Sequence, residues 1–322
     1  MVTQVGAMPA TFDRTEEAAV AALERPNGNA VTWYVDASGG SDGLSGRSPL
    51  APFQTMAKAF TRIQSGDTIK FWGKIREQLI TPVQVFDVTV IGMGNRPRHS
   101  DDAPAPIGGR STSTWTTPAS GATTAALCKV LQQGWSFENI LWAGPSDHAC
   151  LWFLRDAGSG DDERDASHGS VRKCRFASGQ DGIWNTECFN LLIEDNIFMG
   201  MTGFDFLGKA GAGVAAPLQN ILQDNIFIGS ANHVKADFSK AVIRRNVFDD
   251  GGTPNTTVVL NTTGDGGSGA NCFIYGNVFQ TATANFNTPD LVGNATDVWA
   301  DNISIDSTAA GVGSSKEWGQ PA

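Results

Sequence analysis

Five ionisable residues in the middle of the chain have types and spacing that could do chemistry: Asp181, Asp205, His233, Lys235 and Asp237. The last three alternate along HVKADF (His233–Phe238), so a β-strand would turn them to one face. Asp181 and Asp205 belong to two earlier apolar stretches, DGIWN and GFDFL, that would form neighbouring strands. Asp205 and Asp237 would supply the two carboxylates of glycoside hydrolysis, and His233 or Lys235 could move a proton. The plainer alternative is that all five are solvated residues on the outward side of strands, where charged side chains mostly lie. No column of three or four Asp recurs in register, as a calcium site would require.

Other candidates carry less. DDERD (Asp161–Asp165) could chelate Ca²⁺, but it lacks spaced ligands and reads as a solvated loop tip. TTGDGGSG (Thr262–Gly269) occurs once and reads as a turn. The Gly-x-Gly in VTVIGMGN (Val88–Asn95) lacks the rest of a phosphate loop. His99 and His168 stand in polar loops with no partner at a useful spacing, and no Gly-x-Ser-x-Gly occurs. Trp115, Trp142, Trp152 and Trp184 could stack on sugars, or pack in a core or between subunits.

Bulk composition narrows the function classes. The 322 residues are 41% hydrophobic, enough for a substantial core, and only 17% charged. A net charge of −10 without any Lys/Arg cluster argues against nucleic-acid binding. No apolar run approaches the roughly 18 residues of a membrane span, and the first twenty residues lack the basic and apolar regions of a signal peptide. The five cysteines, Cys128, Cys150, Cys174, Cys188 and Cys272, are odd in number and form no CxxC. They read as small buried hydrophobes of a protein made in a reducing compartment.

The elements that must position these residues are announced by a repeat. IEDNIFMG (Ile193–Gly200) returns as LQDNIFIG (Leu222–Gly229), then more loosely as IRRNVFDD, IYGNVFQT and WADNISID. Aligned on its Asn, the frame occurs at Asn139, Asn196, Asn225, Asn246, Asn277 and Asn302, with Cys174 replacing one Asn. A short constant unit with extra residues between copies marks a solenoid, and the Asn, Gly, Phe and Ile content excludes amphipathic helices. The Asn is expected in a tight bend near the left-handed region, its amide bonded to the equivalent Asn above and below. Phe176, Phe198, Phe227, Phe248 and Phe279, two residues later, should stack in a column.

A family resemblance covers Val31 to Asp306. The strand VTWYVD, a Gly/Asp-rich loop, PFQTMAKAFTRI with helical spacing, and SGDTI resemble the N-terminal cap of the pectin-lyase-like superfamily. VTVIGMGN resembles an early coil of the same family. The resemblance implies an all-β fold: a single-stranded, right-handed parallel β-helix with a short N-terminal helix or extended segment. It also implies polymers bound along an outer face, with Ca²⁺-binding acids and a Lys or Arg base in the lyases. Bacteriophage spikes and fibres commonly use such β-helices, usually as trimers.

The expected organisation is a docking segment (1–30), a cap (31–73), the β-helix (74–306) and a tail (307–322). DRTEEAAVAAL (Asp13–Leu23) should form a two-turn helix, marginal alone and so built to dock. The function expected is a bacteriophage virion structural protein: a capsid decoration or cement protein, fibre or spike, assembled in the bacterial cytoplasm. It should be a homotrimer, contact other virion proteins through residues 1–30, and need no cofactor. The alternative is an extracellular or tailspike-borne lyase or glycosidase acting on a polysaccharide along Asp181, Asp205, His233, Lys235 and Asp237.

Overall fold

Strands of three residues, separated by a two-residue corner, are too short to stand alone and must be stacked by their neighbours. In the computed structural model they are stacked into coils. The structure describes residues 30–94, 112–119, 126–155, 164–209, 217–249, 258–263, 270–281, 291–306 and 315–318. The docking segment expected over 1–30 and most of the tail lie outside these residues, as do most of DDERD and TTGDGGSG.

Three sheets run the length of the molecule. Among the described residues, sheet A has ten strands (Thr32–Asp36 to Val298–Ala300) and sheet B ten (Lys74–Ile75 to Ser315–Trp318). Sheet C has eight, from Leu79–Ile80 to Leu291–Val292. Neighbours in each sheet come from successive coils and pair in parallel, except Ser315–Trp318, which runs antiparallel to Asn302–Asp306. The fold is a right-handed parallel β-helix.

The corner between sheets A and B carries the repeat. In the ladder Asn196, Asn225, Asn246, Asn277, Asn302, each Oδ1 from Asn225 onward accepts both the backbone N–H and an Nδ2–H of the Asn one coil earlier at 2.9–3.0 Å, while Asn196 Oδ1 accepts the Cys174 N–H. Each Nδ2 also donates to a carbonyl of the preceding coil: Val171, Ile193, Leu222, Ile243 and Ile274. Burying an amide is costly unless it is bonded, and here every rung serves the next.

Two details differ from the sequence expectation. The left-handed residue is the one before each Asn: Asp195, Asp224, Arg245, Gly276 and Asp301, with φ of 52–65°. The Asn follows the bend, so its side chain turns inward to reach both neighbours. Asn139 is out of the column by one position. Pairing of Phe137 with Val171 and Glu138 with Arg172 places Ile140, not Asn139, opposite Cys174. Asn139 takes the left-handed position instead (φ 58°) and donates to the carbonyls of Gly92 and Gly94.

The aromatic column runs further than the five Phe. Trp115, Trp142, Phe176, Phe198, Phe227, Phe248 and Phe279 stack with centroids 4.6–6.1 Å apart and planes within 17°. Trp115 and Trp142 are therefore core residues, closed to any sugar.

At the N-terminal end, helix α1 (Met56–Phe60) closes the core with Met56, Ala59 and Phe60. It is shorter than the span Pro52–Ile63 suggested by spacing. Phe53 donates its N–H to Tyr34 and accepts the N–H of Asp36, so it completes the edge strand and cannot be helical. Thr55 caps α1 by accepting the Lys58 N–H, while the Glu77 carboxylate takes those of Met56 and Ala57. All five cysteines are free and buried, and burial pushes their thiols up, away from reactivity.

Candidate functional site

Sheet C is where the chain departs from its own repeat. Its strands range from two to six residues, against three for most strands of sheets A and B. The five ionisable candidates all belong to it or to its ends, but they do not share a face.

Alternation fails at two of its strands. In Asn232–Lys235 both His233 and Val234 are buried, and in Phe204–Lys209 both Asp205 and Phe206 are. Asp205 and His233 thus point into the coil. The His233 ring lies 5.9 Å from Phe227 and 6.1 Å from Phe248. Its Nδ1 is 2.6 Å from Asp205 Oδ2, and Ser230 Oγ donates to Asp205 Oδ1 at 2.6 Å. Desolvation holds the Asp205 carboxyl above the usual carboxylate range, with the His233 and Ser230 hydrogen bonds pulling the other way. One coil earlier the matching position is Gly182, where a Cβ would lie 2.4 Å from the Asp205 carbonyl oxygen and 3.0 Å from the Phe198 ring.

The remaining three are scattered. Asp181 is buried, its Oδ2 accepting the Trp184 indole N–H at 2.9 Å and its Oδ1 the Phe204 N–H at 2.5 Å. Asp237 is 1% exposed, beyond the strand end, where its backbone bridges Thr263. Lys235 alone lies half-buried on the outer side. The single face expected for His233, Lys235 and Asp237 does not exist. The Asp205–Asp237 pair is sealed from any polymer at its two ends.

What sheet C does present outward is different. The register aligns Lys129, Trp152, Trp184, Leu207, Lys235 and Asn261 in one row. Lys129 Nζ sits 4.3 Å over the Trp152 ring, and Trp152 meets Trp184 edge-on at 5.5 Å. Trp152 donates to Thr186 Oγ1 at 3.0 Å, and His148 lies 6.3 Å from Trp184. Sequence reasoning named the two Trp but missed Lys129 and His148. The place of Lys129 in the row follows from inter-coil register, which no local pattern announces.

The corner outside the ladder carries charge in rows. Glu138 is 2.9 Å from Lys173 and 3.9 Å from Arg172, and Arg245 pairs with Asp224 at 2.6 Å. A hollow of about 400 Å³ there is lined by Arg172, Lys173, Glu194, Asp195 and Asp224, a mixture of both signs. Among the described residues no three His, Cys, Asp or Glu gather closely enough to hold a metal ion. No helix among them is long and apolar enough to cross a membrane.

No family model and no curated protein matches the chain. Solved structures do. An alginate lyase from Paenibacillus sp. is 14% identical, with 85% of this chain and 95% of that one covered and a TM-score of 0.47. The pectate lyase Pel9A is 13% identical over 87% and 78%, with a TM-score of 0.43. A lacto-N-biosidase from Eubacterium ramulus is 11% identical over 85% and 67%, with a TM-score of 0.36. The architecture rests on the three parallel sheets themselves, and none of these neighbours lends a role to a residue of this chain.

Proposed function

We propose that this β-helix is a structural protein of a bacteriophage virion, a decoration, fibre or spike protein that works as a stiff self-associating shaft. The observation that carries the reading is the outer face of sheet B. One row there runs Leu141, Arg175, Ile197, Ile226, Val247, Val278 and Ile303, and the next Ala143, Ala177, Met199, Ile228, Asp249 and Gln280. Arg175 and Asp249 are the only charges in these rows. Beyond the buried Arg175, the five strands from Ile197 to Ile303 at about 4.8 Å spacing give an aliphatic strip about 19 Å long. A continuous apolar strip is what protein interfaces, rather than solvated faces, display. The sealed state of Asp205, His233 and Asp237 agrees with a non-catalytic role.

Sedimentation velocity tests this. The wild type should run as a trimer, and Ile226→Asp with Val247→Asp should give a monomer with an unchanged far-UV spectrum. A wild type that is monomeric at tens of micromolar sinks the reading.

One observation favours the second reading, a polysaccharide-acting protein: the outer row of sheet C sets the half-buried Trp152 and Leu207, on either side of the buried Trp184, between Lys129 and Lys235. Indole rings stack on sugars and ammonium groups attract acidic ones. Release of unsaturated or reducing ends from an acidic polysaccharide, lost in Lys235→Ala, would establish it in place of the first.

A further inference from the structure

We propose that Asp205, Ser230 and His233 form a proton-holding joint between two coils, which tightens the β-helix at mildly acidic pH and loosens it as the pH rises. The joint is built from few contacts. Ser230 Oγ accepts the Met201 N–H at 3.0 Å, so its own hydrogen is left for Asp205 Oδ1. Asp205 Oδ2 and His233 Nδ1 are 2.6 Å apart, a separation that needs a proton between them.

His233 Nε2 is buried without a hydrogen-bond partner, and its ring is tilted 49° and 52° to those of Phe227 and Phe248. An N–H gains from the electron-rich faces of such rings, whereas a bare lone pair gains nothing. Nε2 is therefore protonated, and the second proton is shared between Nδ1 and Oδ2. Wherever that proton sits, the pair is neutral. Losing it would leave a lone carboxylate in an apolar interior, and gaining another a lone cation.

The surroundings add to the hold. Asp181, on the coil before Asp205, is the further charge acting on that carboxyl, and it opposes ionisation. The next strand of sheet C, Val258–Asn261, brings no ionisable group. From sheet B come Phe227 and Phe248, with Asp249 on the outer side. On the His233 strand Lys235 faces outward, and Asp237 follows the strand end.

The direction of the pH effect follows. Unfolded, Asp titrates near about 3.9 and His near about 6.5. Above pH ~6.5 the unfolded groups have released the proton that the folded pair retains. The unfolding constant then rises about tenfold per pH unit until the folded pair also lets go. Below pH ~3.9 the unfolded groups bind two protons where the folded pair holds one, so stability falls there as well.

Denaturant unfolding of the wild type and Asp205→Asn across pH 5–9 tests the joint. Asn keeps an acceptor but cannot hold the proton. The ratio of the two unfolding constants should shift by about tenfold per pH unit above ~6.5, with the wild type losing its advantage. Parallel curves overturn the proposal. If the variant does not fold, ¹⁵N NMR of the wild-type histidines decides. His233 should carry a proton at Nε2 at pH 7; a bare Nε2 overturns it.

Discussion

The corner between sheets A and B is the same in five successive coils, whereas sheet C changes at every step. At the corner an Asn is buried in each coil, and every Asn but the last, Asn302, finds partners in the coils on either side. In sheet C, Asp205 and His233 are buried once, and only Ser230 and each other answer their polar atoms. A polar group repeated along a solenoid is satisfied by its own copies. A polar group that occurs once must bring its partner with it, or shift its ionisation to become neutral.

The sharpest test of that contrast is Asn225→Leu. It orphans the backbone N–H and an Nδ2–H of Asn196 and takes a donor from Ile193 and Asn246. At about 1–3 kcal/mol for each buried group left unpaired, the loss should be about 3–5 kcal/mol in a denaturant titration. A loss below about 1 kcal/mol would mean that the aromatic column, not the ladder, holds the corner.

A smaller effect comes from adding a rung. Cys174 already donates its N–H to Asn196 Oδ1 at 2.9 Å, and its Sγ lies 3.7 Å from the Phe137 carbonyl oxygen. In Cys174→Asn the new Nδ2 would meet that carbonyl and Asn196 Oδ1, as its counterparts do along the ladder. Stability should stay within about 1 kcal/mol of wild type, although burying an unpartnered amide elsewhere costs about 1–3 kcal/mol. A loss in that upper range would show that the ladder cannot be extended past its natural end. The smallest effect belongs to the outer charges. Lys173→Ala removes the contact to Glu138 from a half-exposed side chain, and melting should change by about 0.5 kcal/mol or less, vanishing in high salt.

The repeat was legible because stacking leaves a trace in every copy. From Asn196 to Asn277 the rungs and the Phe column recur with the same two-residue offset between Asn and Phe, and the last rung, Asn302, has Ser304 at that place. Asn139 misled because it stands one residue from the rung position, and a one-residue offset moves a side chain from inside to outside. The helix span misled because Phe53 has helical spacing but spends its backbone on the edge strand. Trp115 and Trp142 were read as possible sugar contacts because their coils keep the column but replace Phe with Trp.

The sequence by itself determined the stacked coil: its period, its Asn corner and its aromatic spine, because a solenoid needs the same contact in each turn. Only the tertiary structure decided which way the residues of sheet C face. Strict alternation would have turned His233, Lys235 and Asp237 to one side. Alternation breaks at Asp205–Phe206 and His233–Val234, where both members of each pair are buried against neighbouring coils. That is why His233 and Asp205 lie against the spine, and why Lys235 faces outward in line with Trp152 and Trp184.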